Sequence, residues 1–226
     1  MKEKNIVIVG GNSGIGKKVK DLLTEKGANV YAYSRSQNDA SELDILEDFE
    51  EIPGLPDEVH GLVYCPGTIN LKPFHRFKLS DFRQDLEINY LGAIKVLQAI
   101  HPLLKKASSS SVVLYSTVAV QTGLGFHSSV AGAKGAVEGL TRSLAAEWAN
   151  AGIRVNAIAP SLTDTPLASA LLSTDEKKQA ADKRHPLGRF GTVEDMASST
   201  LFLLSEDSSW ITGQILKVDG GMSAIK

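Results

Sequence analysis

Asn5-Ile6-Val7-Ile8-Val9, then Gly10-Gly11-Asn12-Ser13-Gly14-Ile15-Gly16, then Lys17-Lys18-Val19-Lys20-Asp21-Leu22-Leu23 reads as a buried strand, a glycine turn and an amphipathic helix. Glycines let a backbone approach a diphosphate closely and present N–H donors, and the first turn of the helix adds the positive end of its dipole. The spacing Gly10, Gly14, Gly16 departs from the commoner G-x-G-x-x-G, so the dinucleotide fingerprint is met by its strand–turn–helix setting and not letter by letter.

Outward from that unit, apolar strand-like runs recur at Ile6 to Val9, Val30 to Tyr33, Gly61 to Cys65, Val112 to Tyr115, Arg154 to Ala159 and Ile215 to Val218, most of them separated by helical patterns. Such alternation predicts an α/β chain with right-handed crossovers, a doubly wound parallel sheet with helices on both faces, and ligands at the carboxyl ends of the strands. Long helices are expected over Leu79 to Lys105, with Ser80 as N-cap, and over Ser128 to Asn150, ending before Gly152. A shorter one, Val193 to Ser205, follows Thr192 as N-cap with Asp195 three residues on. Between Arg35 and Leu62 there is little room for a crossover helix, and Pro53 and Pro56 are expected to close that stretch as a loop.

The 226 residues suit one domain able to bury a core without metals or disulfides. A net charge of −2, with basic and acidic residues interspersed, leaves no field for nucleic acid. Cys65 is the sole cysteine, so an internal disulfide is excluded, and His60, His75, His101, His127 and His185 lack ligand spacing, so no metal site is expected. Without a long apolar segment or a leader pattern, the chain reads as a soluble cytoplasmic protein with small-molecule partners, no membrane partner and copies of itself.

The glycine turn, Asn89, Ser116-Thr117, Lys134 and the ending Ile211-Thr212-Gly213-Gln214 with Val218-Asp219-Gly220-Gly221 together resemble the short-chain dehydrogenase/reductase family, nearest its bacterial 3-oxoacyl carrier-protein reductase branch. The resemblance runs nearly the whole length. It implies a single-domain Rossmann fold, NAD(P)(H), hydride transfer between cofactor and a carbonyl or alcohol, and a homodimer or homotetramer built on the two long helices. Written over this chain, the family's T-G-x-x-x-G-x-G puts its threonine on Gly10 and its glycines on Gly11, Gly14 and Gly16, with Asn12, Ser13 and Ile15 between them. Asp44 resembles the acid that receives the adenine amine, with a plain surface carboxylate as the other reading. Tyr64-Cys65-Pro66-Gly67 replaces Asn-Asn-Ala-Gly and so removes two amides on the adenosine side. Pro160 and Thr165 correspond to the turn and the threonine that orient the carboxamide, although Ser161 stands where glycine is customary. Residues from about 162 to 190 form the expected substrate lid. Its Lys177, Lys178, Lys183, Arg184 and Arg189, with Asp175, Glu176 and Asp182 alongside them, are either an ordinary solvated face or an attractor for an anionic carrier or acid.

Arg35 follows the second strand, where an acid would select a ribose hydroxyl and an arginine a 2′-phosphate, so NADP(H) is favoured over NAD(H). Lys17, Ser34 and Ser36 are possible helpers. The family's proton-donating tyrosine lies four residues before its lysine, and here that position is Val130. Valine neither donates a proton nor stabilises an alkoxide. Three readings stay open: His127 replaces the acid, being on the same helical stripe if the helix starts early enough; Lys134 and Asn89 relay a proton through water while Thr117, or Ser116, polarises the oxygen; or the chain is a silent nucleotide-binding protein.

Overall fold

The structure, a computed structural model, describes residues 1–36 and 40–225. β1 (Asn5–Val9) leads through the glycine turn into α1 (Gly14–Glu25), followed by β2 (Asn29–Ser34), β3 (Ser41–Glu42) and β4 (Gly61–Tyr64). Next come α2 (Leu79–Leu86), a π-helical turn at Glu87–Leu91, α3 (Gly92–Leu104), β5 (Ser110–Tyr115), α4 (Ala119–Thr122) and α5 (Ser128–Trp148). The chain then runs through β6 (Ile153–Pro160), a 3-10 segment at Pro166–Leu172, α6 (Asp175–Lys183), α7 (Val193–Leu204) and β7 (Ile215–Val218).

The strands form one parallel sheet in the order β3-β2-β1-β4-β5-β6-β7. Alternation along β1 explains why both faces are covered. Val7 and Val9 join Val96, Ile100, Val137 and Trp148 of α3 and α5, whereas Ile6 and Ile8 join Val19, Leu23, Met196 and Leu203 of α1 and α7. Strand order reverses between β2-β1 and β1-β4, so the crevice of this fold opens where β1 and β4 end, at Gly10 and Cys65.

β3 escapes a reading based on apolar runs because it is two exposed polar residues pairing with Tyr33 and Ser34. Beyond it, residues 43–60 form no helix. Leu43, Ile45, Ile52 and Val59 are buried and cover the sheet in its place, and the Tyr33 hydroxyl donates to the Pro53 carbonyl at 2.7 Å.

The single helix expected over Leu79 to Lys105 is two helices. Its N-cap is Lys78, extended at φ −92° and ψ 155°, with the Asp81 carboxylate accepting from the Lys78 backbone N–H at 2.9 Å, so Ser80 lies inside the helix and caps nothing. The π turn at Glu87–Leu91 widens the helix at Asn89. The Tyr64 hydroxyl donates to the Ile88 carbonyl within that turn at 2.6 Å. α5 ends at Trp148, followed by a 3-10 turn that Gly152 closes at φ 71°.

α7 opens as expected. Thr192 Oγ1 accepts from the Asp195 N–H at 3.3 Å, and Asp195 Oδ2 accepts from the Thr192 N–H at 2.8 Å. Arg189 grips both carboxylate oxygens at 2.7 and 2.8 Å and holds Asp195 well below the usual carboxylate range. Thr192→Ala removes one half of this box and is expected to cost about 1 kcal/mol in urea denaturation; an unchanged midpoint would show that the cap contributes nothing.

Candidate active site

The glycine turn sits at the switch point because Gly10 and Gly14 take left-handed φ values and Gly16 leaves no room for a side chain. Gly10 has φ 85°, and a Cβ there would lie 3.2 Å from Cys65 Cβ. Gly14 has φ 52° and faces the Thr165 side chain. At Gly16 a Cβ would lie 2.2 Å from the Gly10 carbonyl oxygen, so α1 and the end of β1 approach as closely as bare backbone allows. The constrained glycines are therefore Gly10, Gly14 and Gly16, and the residue preceding them is Val9, a buried strand residue. This corrects the alignment that put the family's threonine on Gly10 and a spaced glycine on Gly11. Gly11 has no left-handed φ, although a Cβ there would lie 3.0 Å from Ala32 Cβ and 3.7 Å from Ile8 Cγ2; the G-x-x-x-G-x-G spacing is met by Gly10, Gly14 and Gly16.

Ser13 is the N-cap of α1 and makes no side-chain cap bond, and the first turn carries no acid. The early N–H groups of α1 thus face the crevice without a competing side chain. Ile15 packs on the core beneath. Asn12 Nδ2 donates to the Ser36 carbonyl at 2.6 Å, tying the turn to the bend after β2, while its Oδ1 is buried without a partner. Ser34 Oγ accepts from the Ser36 N–H at 3.4 Å, and Arg35 beside it is exposed. Lys17 pairs with Asp21 at 3.3 Å. Asp44, half-buried, accepts from the Leu46 N–H at 2.9 Å and so builds its own turn.

From Cys65 and Gly67 a cavity of about 760 Å³ runs past Lys134, Ser116 and Thr117 to Pro160 and Thr165. Val130 and His127 line it too. The structure thus gathers residues from β4, β5, α5 and β6 that lie far apart in the sequence. Within α5, Val130, Lys134 and Glu138 succeed one another at four-residue intervals on one buried face. Glu138 Oε1 accepts from Ser116 Oγ at 2.8 Å, with Gln121 Nε2 donating to Oε2 at 3.2 Å. The Ser116 proton is therefore committed. Thr117 is half-buried, and its hydroxyl oxygen accepts from the Ala119 N–H at 3.3 Å, leaving its own proton for the cavity.

Lys134 is 6% exposed, and desolvation pulls its ammonium down to about 8 from the usual 10.5. The Cys65 thiol is pushed up to about 12 by burial, so it is a neutral filler beside that lysine. Asn89 is fully buried; its Nδ2 donates to Thr68 Oγ1 at 2.8 Å and to the Asp85 carbonyl at 2.7 Å. Because both donors are spent on acceptors, Oδ1 points away from them and is without a partner. A Cβ on Gly67 would lie 3.3 Å from that oxygen and 3.5 Å from Lys134 Nζ, so the bare glycine leaves a gap between the two groups. His127 is the N-cap of α5. Its Nδ1–H donates to the Gly125 carbonyl at 2.6 Å, which leaves Nε2 as the available nitrogen.

Two features were missed from the sequence. Tyr64 does more than displace an amide: its hydroxyl clamps the π turn that carries Asn89, and Gly92 is required because a Cβ there would lie 2.5 Å from that hydroxyl. A tyrosine ending an apolar strand gives no hint of this partner. The second is His185, 3% exposed. Its Nδ1–H donates to the Ala181 carbonyl at 2.7 Å and its Nε2 meets Ser161 Oγ at 2.8 Å. The unusual Ser161 thus anchors the far end of the 162–190 segment through His185. The two ends of that segment are joined by Asp164 N–H to Gly191 carbonyl and Gly191 N–H to Leu162 carbonyl bonds, both 2.9 Å.

A parallel sheet with an uncapped glycine turn at its switch point and a buried lysine in the adjoining cavity defines a nucleotide-binding fold of the Rossmann type. Residues 41–223 match the family model described as enoyl-(acyl carrier protein) reductase. A tropinone reductase homologue of Arabidopsis thaliana is 34% identical, covering 97% of this chain and 92% of its own. A 2,5-dichloro-2,5-cyclohexadiene-1,4-diol dehydrogenase of Sphingobium indicum is 31% identical, with 98% of each chain covered. Among solved structures, a short-chain type dehydrogenase/reductase from Mycobacterium ulcerans has a TM-score of 0.90 at 27% identity, covering 100% of this chain and 92% of that one. A putative NAD(P)-dependent gluconate 5-dehydrogenase from Beutenbergia cavernae, with bound NADP, has a TM-score of 0.88 at 28% identity, covering 98% and 97%. The chain belongs to the short-chain dehydrogenase/reductase family. The names of these relatives are not those of the 3-oxoacyl carrier-protein reductase branch. Among the described residues no helix is long and apolar enough to cross a membrane.

Gly16→Ala is expected to abolish nucleotide binding or folding, whereas Gly132→Ala, with nothing within 4 Å of its Cβ, should be neutral or slightly stabilising. Thermal melts with and without nucleotide check both, and a Gly16→Ala protein that behaves as wild type would refute the close approach.

Proposed function

We propose that the chain is an NADP(H)-dependent oxidoreductase acting on a carbonyl/alcohol pair, in which Lys134 supplies the proton that a tyrosine supplies elsewhere in the family. The observation that carries this is the Lys134 ammonium, lowered to about 8 inside the same cavity as Thr117, with Val130 one helical turn before it. The chain fits the cofactor on its own chemistry. An uncapped helix N-terminus suits a diphosphate, the orphaned Asn12 Oδ1 lies beside the Ser34–Ser36 bend, and Arg35 there offers a fork for a 2′-phosphate. Gly10, Ser13, Gly14, Ile15 and Gly16 would hold the phosphates, Asp44, Cys65 and Gly67 the adenosine side and its approach to the crevice, and Lys134, Pro160 and Thr165 the nicotinamide end.

When bound, the cofactor supplies or accepts a hydride at the carbonyl carbon. Thr117 donates a hydrogen bond to the substrate oxygen, and Lys134 stabilises the negative charge there and passes it a proton. Asn89 Oδ1, across the Gly67 gap, holds a water through which Lys134 is reprotonated. Val130 presents only methyl groups. Without the usual acid, turnover is expected to be about 10²–10⁴ slower than with one. A homodimer or homotetramer belongs to the same reading, and Leu79, Leu86 and Leu91, all exposed, are apolar surface that such pairing would cover.

His127 is the second reading, favoured by its place in the cavity with Nε2 available. His127→Ala with full turnover assigns the proton to Lys134, and loss of turnover only in that variant assigns it to His127.

Reduction requires protonated Lys134, so kcat/KM is expected to be level at neutral pH and to fall above about pH 8, and Lys134→Ala should abolish it. Stability moves the opposite way. Between about 8 and 10.5 the unfolded lysine keeps a proton that the folded one has lost, so stability rises with pH across that window, and Lys134→Met should melt higher than wild type at pH 7. If NADPH binds and no carbonyl compound is reduced at any pH, the silent nucleotide-binding reading replaces this one.

For cofactor choice, fluorescence titration is expected to show tighter binding of NADPH than of NADH, with Arg35→Ala removing the difference. Tighter NADH binding by wild type would overturn the assignment.

A further inference from the structure

The wall of the cavity is largely apolar, yet every formally charged residue lining it has the same sign. Lys177, Lys183 and Arg184 of the lid join Lys134, and among the described residues no aspartate or glutamate lines the space, in a chain whose net charge is −2. Of the acids nearest these cations in sequence, Asp175 and Glu176 precede Lys177 and Asp182 precedes Lys183, and none of the three lines the cavity. Asp182 accepts from the Phe190 N–H at 3.1 Å, Asp195 holds Arg189, and Asp219 accepts from the Gly221 and Ser223 N–H groups, each at 2.9 Å. Lys177 Nζ donates to the Ala170 carbonyl at 2.8 Å and Ser173 Oγ at 2.9 Å, neutral acceptors that leave its charge uncompensated. Among the described residues, neither Lys183 nor Arg184 pairs with an acid.

These cations are also placed away from the phosphate turn. Thr165, at the near root of the lid, packs on Gly14, whereas Lys183 and Arg184 immediately precede His185, which is bonded to Ser161 and faces Gly220. Between the two ends the cavity offers Ile69, Leu71, Leu124 and Val130. A cationic rim over an apolar wall favours a ligand with a hydrocarbon body and an anionic terminus, because a carboxylate brought there meets positive potential with no opposing acid.

We propose that the cavity takes an oxo acid or hydroxy acid, its carboxylate held by Lys183 and Arg184 and its carbonyl or hydroxyl directed toward Thr117 and Lys134. This names the substrate class of the site and rests on the oxidoreductase reading above for the reacting end only. The test compares 4-oxocyclohexanecarboxylate with its methyl ester by titration calorimetry, in wild type and in a Lys183→Ala/Arg184→Ala variant, with NADPH affinity measured alongside. Both changed residues are exposed, and circular dichroism checks that the variant folds. The acid is expected to bind wild type about tenfold more tightly than the ester, to lose that advantage in the variant and to keep part of it at high salt, while NADPH affinity is unchanged. Equal affinity for acid and ester, or a preference that survives in the variant, overturns the proposal; NADPH binding in the same samples then leaves the oxidoreductase reading standing. An acid preference abolished by the variant in a protein that does not bind NADPH upholds the anion site and removes the oxidoreductase reading instead.

Discussion

The close approach of α1 to the end of β1 is the constraint on which the rest of the molecule depends. With no side chain at Gly16, the helix start sits against the Gly10 carbonyl, and with positive φ at Gly10 and Gly14 the chain turns tightly enough to lie between the ends of β1 and β4. That position brings Gly14 against Thr165 and Gly10 against Cys65, so one turn abuts both the lid root and the floor of the cavity. A methyl group at Gly16 would force the helix outward and separate these parts together.

The second determinant is the burial of Lys134. An ammonium enclosed by α5 and the end of β4, beside a neutral thiol and across a gap from an unpartnered amide oxygen, is costly to keep charged, and its depressed pKa expresses that cost. The arrangement is held from behind by groups that do not themselves line the reacting centre. Glu138 fixes Ser116, and Tyr64 fixes the π turn of Asn89. π turns interrupt helices frequently at functional sites, and here the interruption carries the buried Asn89.

Much of this was legible in the residues. The apolar runs located six of the strands, the capping pair Thr192 and Asp195 marked the start of α7, and the shortage of helix-forming sequence before Leu62 matched a loop that covers the sheet by itself. What escaped was either too short or too distant to leave a local pattern. β3 has only two polar residues, the break in the long helix depends on Tyr64 from another element, and the start of α2 is governed by an acid at Asp81 in place of the serine beside it. At the site, Thr117, Lys134 and His127 were named from the sequence, but the division of labour between Ser116 and Thr117 follows from Glu138, a residue whose helical position alone does not reveal its partner. The lid showed the same limit. Its basic residues had two readings in the sequence, and the fold sets Lys177, Lys183 and Arg184 against the cavity and Arg189 in a pair with Asp195.

The central claim is that main-chain amides of the turn hold the diphosphate of a nicotinamide cofactor. Hydrogen–deuterium exchange of the backbone amides from Gly11 to Gly16, followed with and without saturating NADPH, tests it most directly. Strong slowing confined to those amides and to the opposing Thr165 region is the result expected, whereas bound NADPH with exchange at the turn unchanged would contradict the account.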